Sequence, residues 1–155
     1  MIFMPKTIVI GSDHAGFPLK QDLMKRLEQA GYTVEDKGCY TSESCNTAPI
    51  ARAVAEEVAG DPQKKEGILI CGTGLAMSMM ANKVKGIRAA LCHDLFSAHA
   101  TREHNEANIL CLGQRVLAAN MAWEITRTWL AAKPLGGKYA ERLEYIRQYE
   151  DAHMI

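Results

Sequence analysis

Short runs of β-branched and aliphatic residues alternate with stretches of helical periodicity along the whole chain, and this alternation limits the possible folds more than any other feature. The segment "TIVIGSD" (7–13) is an apolar run ending in small and polar residues, which predicts a buried strand. "FPLKQDLMKRLEQAG" (17–31) then sets Leu19, Leu23, Met24 and Leu27 on one helical face, with Gly31 placed to stop the helix. "YTVEDKG" reads as a second strand. After the polar loop "CYTSESCNTA", the segment "PIARAVAEEVAG" reads as a helix with Pro49 in its first turn. Three further strand–helix pairs follow: "GILIC" with "AMSMMANKV", "IRAALC" with "LFSAHATREHN", and "NILCLG" with "RVLAANMAWEITRTWLAA". "KPLGGK" breaks the pattern before a last amphipathic helix, "YAERLEYIRQYEDA".

Strands that alternate with helices predict a mostly parallel sheet covered on both faces. The expected fold is a doubly wound α/β three-layer sandwich with about five parallel strands and an extra C-terminal helix, residues 1–155 forming one domain. That last helix, and Trp123 and Trp129 on the helix before it, suggest contact with a partner subunit. Eighteen basic residues balance eighteen acidic ones. Without a basic block, neither nucleic acid nor an anionic membrane is expected as a partner. The apolar runs are too short to span a bilayer, and "MIFMPKTIVIG" lacks the features of a signal peptide, so a cytoplasmic location is expected. The five cysteines are odd in number and form no CxxC pair. This predicts reduced thiols, although Cys39 and Cys45 flank a polar segment and could pair under oxidation. Cys71, Cys92, Cys111, His93 and His104 lack a local ligand spacing, so no metal site is expected.

In such folds ligands bind beyond the carboxyl ends of the strands. The residues there are Ser12-Asp13-His14, Gly38, Cys71-Gly72-Thr73-Gly74, Cys92-His93-Asp94 and Gly113-Gln114-Arg115. Cys71 stands where a strand stops and a helix starts. Orphan amides and partial positive charge at such a helix end favour a thiolate, making Cys71 a candidate base or nucleophile. Gly72 and Gly74 let backbone amides turn toward an anion, and Thr73 adds a hydroxyl. The plainer reading of Cys71 is a small buried residue at a strand end.

Asp13-His14 reads either as an acid–base pair or as an N-cap Asp beside an exposed His. His104-Asn105 lie near a helix C-terminus, where a His commonly complements the macrodipole. Arg115 is expected to open a helix, where a cation opposes the macrodipole, and this favours an anion-binding role. Lys138 and Arg142 are four apart and share a helical face that suits either a phosphate or solvent.

The segments "GSDHAGFPLK", "ILICGTGLAMSMMANKVKGIRAALCHD", "SAHATREHNEANILCLGQRV" and "GGKYAERL" resemble the ribose-5-phosphate isomerase B family, which includes the galactose-6-phosphate isomerase subunits. The resemblance covers nearly the whole chain. It implies a Rossmann-like fold and a cofactor-independent aldose–ketose isomerase. It also implies homodimers, or dimers of dimers, whose active sites are shared between subunits. On this resemblance Cys71 is the base that moves a proton between C1 and C2 through a cis-enediolate. The amides from Gly72 through Gly74 to Ala76 hold the oxyanion with help from Thr73. His104 helps open the sugar ring, with Asp13 and Thr73 nearby, and Asn105 contacts the sugar. His14, Arg115, Lys138 and Arg142 hold the phosphate.

Three positions depart from the family pattern. Asn46-Thr47-Ala48 replaces Asp-Tyr-Pro, Ala76 replaces a glycine, and Lys138-Tyr139 replaces Arg-His. Lysine keeps the charge but loses the bidentate fork of arginine. Ribose 5-phosphate with ribulose 5-phosphate is the expected pair. The alternatives are a tetrose, allose or galactose phosphate, or a non-catalytic sugar-phosphate-binding subunit of a hetero-oligomer.

Overall fold

Alternating burial along the strands explains how one sheet holds two cores. In the computed structural model, which describes residues 4–155, the sheet strands are β1 (Thr7–Ser12), β2 (Val34–Asp36), β3 (Lys65–Cys71), β4 (Ala89–Leu91) and β5 (Ile109–Gly113). The helices are α1 (Phe17–Gln29), α2 (Thr47–Gly60), α3 (Leu75–Ala81), α4 (Leu95–Asn105), α5 (Ala119–Ala131) and α6 (Lys138–His153). All neighbouring strands pair in parallel, in the order β2-β1-β3-β5-β4. Ile8, Ile10, Ile68, Ile70, Leu110 and Leu112 point to one face, against Leu23 and Leu27 of α1 and Ile125 and Trp129 of α5. Their neighbours Val9, Leu69, Ile109 and Cys111 point to the other face, against Val54 and Val58 of α2 and Met77 of α3. This is the period-two alternation of a strand buried on both sides. The expected three-layer α/β fold is what forms, with α6 resting on α4 outside the layers.

Several boundaries differ from the sequence expectation. α2 starts at Thr47 because the Asn46 side chain accepts from the Ala48 amide at 3.2 Å and caps it. The supposed end of the polar loop is therefore the first turn of a helix. Arg115 does not open a helix. The amides of Gln114 and Arg115 donate to the carbonyls of Cys71 (2.9 Å) and Gly72 (3.0 Å), holding this stretch in a turn until α5 begins at Ala119. The macrodipole argument for Arg115 falls with that correction. Trp129 is fully buried in the core of the chain, 4.2 Å from the Arg102 guanidinium, and so is not the subunit contact expected of it. Arg102 in turn pairs with the buried Glu66 at 2.9 Å.

Cys39 and Cys45 form a disulfide, correcting the expectation of reduced thiols at the one pair that the sequence left open to oxidation. Their Cα atoms lie 6.5 Å apart because the loop between them is held at both ends. The Cys39 amide donates to the Ser12 carbonyl at 2.5 Å, and the Cys45 amide donates to His14 Nδ1 at 3.3 Å. The other three cysteines are unpaired and buried.

The start of α1 is pressed against the end of β3. A Cβ added at Gly16 would lie 2.5 Å from the Ile70 carbonyl oxygen, and that same oxygen accepts from the Asp13 amide at 3.3 Å. Backbone cannot yield there without breaking a bond between β1 and β3. Gly16→Ala is expected to cost about 1–3 kcal/mol, the range for overpacking. Urea denaturation of the two proteins measures it, and an unchanged midpoint would show that this approach is not tight.

Candidate active site

The carboxyl ends of β1, β3 and β5 form one edge because their registers align there. Ser12 is opposite Ile70, and Cys71 is opposite Gly113. Asp13 follows directly. Its side chain is 6 % exposed, yet every oxygen is engaged. Oδ1 accepts from the amides of Ala15 (3.0 Å) and Gly16 (3.1 Å), and Oδ2 accepts from the Thr47 hydroxyl at 2.7 Å. The N-cap reading of Asp13 is therefore the one the structure supports. His14 is exposed and turns its Nδ1 to the backbone of Cys45, so the two side chains do not form an acid–base pair with each other.

Cys71 ends β3 with its Sγ facing inward under the Gly72–Gly74 turn. The Gly74 amide donates to Sγ at 3.0 Å, and the residue is only 5 % exposed. It also belongs to the apolar cluster of the α2/α3 face, so it is less open than its position in the sequence suggests. α3 has only seven residues. The directed amide, rather than a long macrodipole, is what meets the sulfur at this end. Gly74 is required here twice over. Its φ is +78°, and a Cβ would come within 2.5 Å of Leu91 Cδ1. Thr73 is exposed, with its hydroxyl accepting from the Leu75 amide at 3.3 Å, and Ala76 is exposed beside it. Arg115 lies over the turn, since a Cβ at Gly72 would meet its guanidinium at 3.4 Å. Asp13, His14, Gly72, Thr73, Gly74, Ala76 and Arg115 thus share the carboxyl edge with Cys71.

His104, Asn105, Lys138 and Arg142 do not. α4 begins at the carboxyl edge and runs back, so His104 lies roughly 14 Å further along its axis. Hydrogen bonds at that far end confirm the placement: the Asn108 amide donates to Arg88 and the Gly67 amide to Asn108, both where strands begin. There His104 stacks on Tyr139 at 4.3 Å with the rings 13° apart. Lys138 Nζ and Arg142 Cζ lie 5.2 and 5.6 Å from the same ring. One aromatic plate gathers a histidine and two cations. Sequence reasoning treated Tyr139 only as a departure from a motif. Its signal was its place between Lys138 and Arg142 at the start of an amphipathic helix.

Lys20 is the other residue that reasoning missed. It is fully buried, donates to Asp36 Oδ1 at 2.7 Å and to the Cys39 carbonyl, and lies over the rings of Phe17 and Tyr40. Its signal was a lysine at helical spacing from Leu23 and Leu27, on the apolar face of α1.

The model of the ribose/galactose isomerase family matches residues 8–146. The chain belongs to this family. A ribose-5-phosphate isomerase B of Clostridium thermocellum superposes with a TM-score of 0.92 at 44% identity, over 95% of this chain and 99% of that one. A ribose-5-phosphate isomerase B of Mycoplasma genitalium, solved with bound ribulose 5-phosphate, gives 0.92 at 37% identity over 96% and 99%. The D-erythrulose-4-phosphate isomerase of Pectobacterium atrosepticum is 42% identical over 93% of this chain and 95% of its own. As a family member the chain is a sugar isomerase of the aldose–ketose type. Among the described residues, no helix is long and apolar enough to cross a membrane, and no three His, Cys, Asp or Glu residues are placed to hold a metal ion.

The three unpaired thiols of this family member differ in surroundings. Burial, and then Asp94, push the Cys92 thiol up to about 11. Burial, followed by Cys71 and Cys92, pushes Cys111 further still. Both prefer the neutral form, whereas Cys71 faces a donating amide. Iodoacetamide at about pH 8, near the ordinary thiol range, is expected to modify Cys71 before Cys92 or Cys111. Peptide mass mapping over a time course reads the order, and earlier labelling of either of the others would contradict this picture of the turn.

Proposed function

We propose that the chain interconverts a short phosphorylated aldose and its ketose, with ribose 5-phosphate and ribulose 5-phosphate as the leading pair. The observation that carries this is the Cys71 sulfur held at 3.0 Å from the Gly74 amide, on the same edge as Asp13, His14 and Arg115. A proton on carbon beside a carbonyl is weakly acidic, so the reaction needs a close base and a place for negative charge. In this reading the Cys71 thiolate removes the proton from C2 of the open-chain aldose. The electron pair passes to the carbonyl oxygen and gives a cis-enediolate, held by amides of the Gly72–Ala76 turn with help from Thr73. Return of the proton to C1, with the oxygen proton redistributed, completes the ketose. No cofactor is required for this sequence. Asp13, with both oxygens occupied, positions the Ala15–Gly16 backbone and Thr47 rather than shuttling protons.

The phosphate-holding groups lie in two places, His14 and Arg115 on the carboxyl edge, Lys138 and Arg142 near His104. Their separation within one chain supports a site assembled from two copies, with His104 and Asn105 of one copy reaching the Cys71 edge of the other to open the ring and hold the sugar. The active unit is then a homodimer or a dimer of dimers of single-domain chains. The family chemistry fits a cytoplasmic enzyme. A specific observation favours a second substrate, a tetrose phosphate. Asn46 and Thr47 start α2 where the family carries an acid and a tyrosine, Thr47 bonds Asp13, and a relative of similar identity is a D-erythrulose-4-phosphate isomerase.

Incubation with tetrose, pentose and hexose phosphates in heavy water tests the reaction. Deuterium is expected at C2 of the aldose or C1 of the ketose for the true substrate, and binding without exchange for any of them would instead make the chain a binding subunit. Cys71→Ser is expected to lower turnover about 10²-fold or more, the scale of losing an acid–base group. The shared site is tested by co-refolding Cys71→Ser with His104→Ala, each inactive alone. Random pairing should restore about a quarter of the wild-type rate, the share of intact sites in a two-fold dimer. No recovery would place all catalytic groups within one chain.

A further inference from the structure

An acid–base histidine works only when its ring nitrogens point at the right atoms, and the usual guide is a hydrogen bond to one of them. His104 lacks that guide. Among the described residues, neither of its ring nitrogens bonds to the protein. It is also partly exposed, in the last turn of α4, so no core packing locks it. One contact sets its plane. The Tyr139 ring lies against it, with centroids 4.3 Å apart and planes 13° apart, and rings at this spacing attract through their faces.

Two further contacts bring these rings together. The Leu135 amide donates to the Glu103 carbonyl at 3.1 Å, tying the approach to α6 to the last turn of α4. Leu143, one turn beyond Tyr139 on the same face of α6, is buried. A second stack in the chain gives the contrast. His153 lies on Tyr149 at 4.2 Å and 18°, but these two are one turn apart on a single helix, and His153 Nδ1 also lies 2.9 Å from the Tyr149 carbonyl. The His104 stack joins two helices and has no such bond beside it. The Tyr139 hydroxyl has no partner among the described residues, so the face of the ring is what this tyrosine offers.

We propose that Tyr139 is a positioning residue for ring opening, its face holding the His104 imidazole in the plane from which it exchanges protons with the closed sugar. This rests on the reading of His104 as the ring-opening group. Opening takes the proton from the C1 hydroxyl, breaks the bond between C1 and the ring oxygen, and returns a proton to that oxygen. His104 carries the proton between the two oxygens, and Tyr139 exchanges none. A ring plane turned away from the sugar would leave the substrate bound but closed, because a small misplacement of a reacting group slows a step far more than it weakens binding. Lys138 and Arg142 flank the same ring, so a role for Tyr139 in holding phosphate through them is the competing outcome.

Tyr139→Phe, Tyr139→Leu and His104→Ala in the full chain, with ribose 5-phosphate as substrate, test this. Proton NMR reads the His104 ring protons, assigned by their loss in His104→Ala. They are expected upfield in the native chain and in Tyr139→Phe, and to move downfield in Tyr139→Leu. Unmoved signals from the other histidines show that each variant is folded. Turnover should hold in Tyr139→Phe and fall about tenfold or more in Tyr139→Leu, with KM nearly unchanged. The proposal is overturned by native turnover in Tyr139→Leu, by equal loss in both Tyr139 variants, by a rise in KM alone, or by His104 signals indifferent to the leucine. No turnover of ribose 5-phosphate by the native chain, or full turnover by His104→Ala, would overturn it through the reading it rests on, and would leave the NMR signature of the stack in place.

Discussion

The last three residues of the central strand region carry the site, because the loops on both sides hang from their carbonyls. Ile70 accepts from Asp13, Cys71 from Gln114, and Gly72 from Arg115. These three bonds fix the ends of β1 and β5 against β3 and leave the Gly72–Gly74 turn one conformation. The thiol does not choose its own direction. The parallel register sets where β3 stops, and the positive φ of Gly74 sets where the next amide points. A different residue at Gly74 would collide with Leu91, so turn, thiol and core are one packing problem.

Much of the architecture could be read from periodicity. Apolar runs with polar ends became strands, and α4 falls on the residues where its pattern placed it. What escaped notice depends on contacts distant in sequence. Arg115 sits in a pattern that reads as helix, but two hydrogen bonds to β3 hold it in a turn. Trp129 looks like an interface residue until it is seen buried, with Arg102 over its ring. Cys39 and Cys45 are joined because Ser12 and His14 hold their loop; the spacing left that pairing open without showing the contacts that bring the two together. Spacing placed Asp13, Cys71 and Gly113 at the carboxyl ends of their strands, where the register sets them. It could not reveal that α4 carries His104 to the opposite edge, since a helix length becomes a separation only once the strand order is known.

Two aromatic arrangements show how the fold spends its few rings on cations. Tyr139 collects Lys138, Arg142 and His104 at the start of α6, while Trp129 lies under Arg102 in the core. Ring faces tolerate a guanidinium without a matching acid. At Tyr139 this keeps two positive charges close together and open to solvent.

Lys20 has a consequence for motion. Its ammonium has no route to water and depends on Asp36 and the Cys39 carbonyl for compensation. Lifting the segment after β2 away from the sheet would strand that charge inside α1's apolar face. The segment and the helix must therefore loosen together, as one cooperative unit. Amide protons of the two should exchange with solvent at matched free energies, so the lead-in to the Asp13 edge behaves as an extension of the interior, not as a flap.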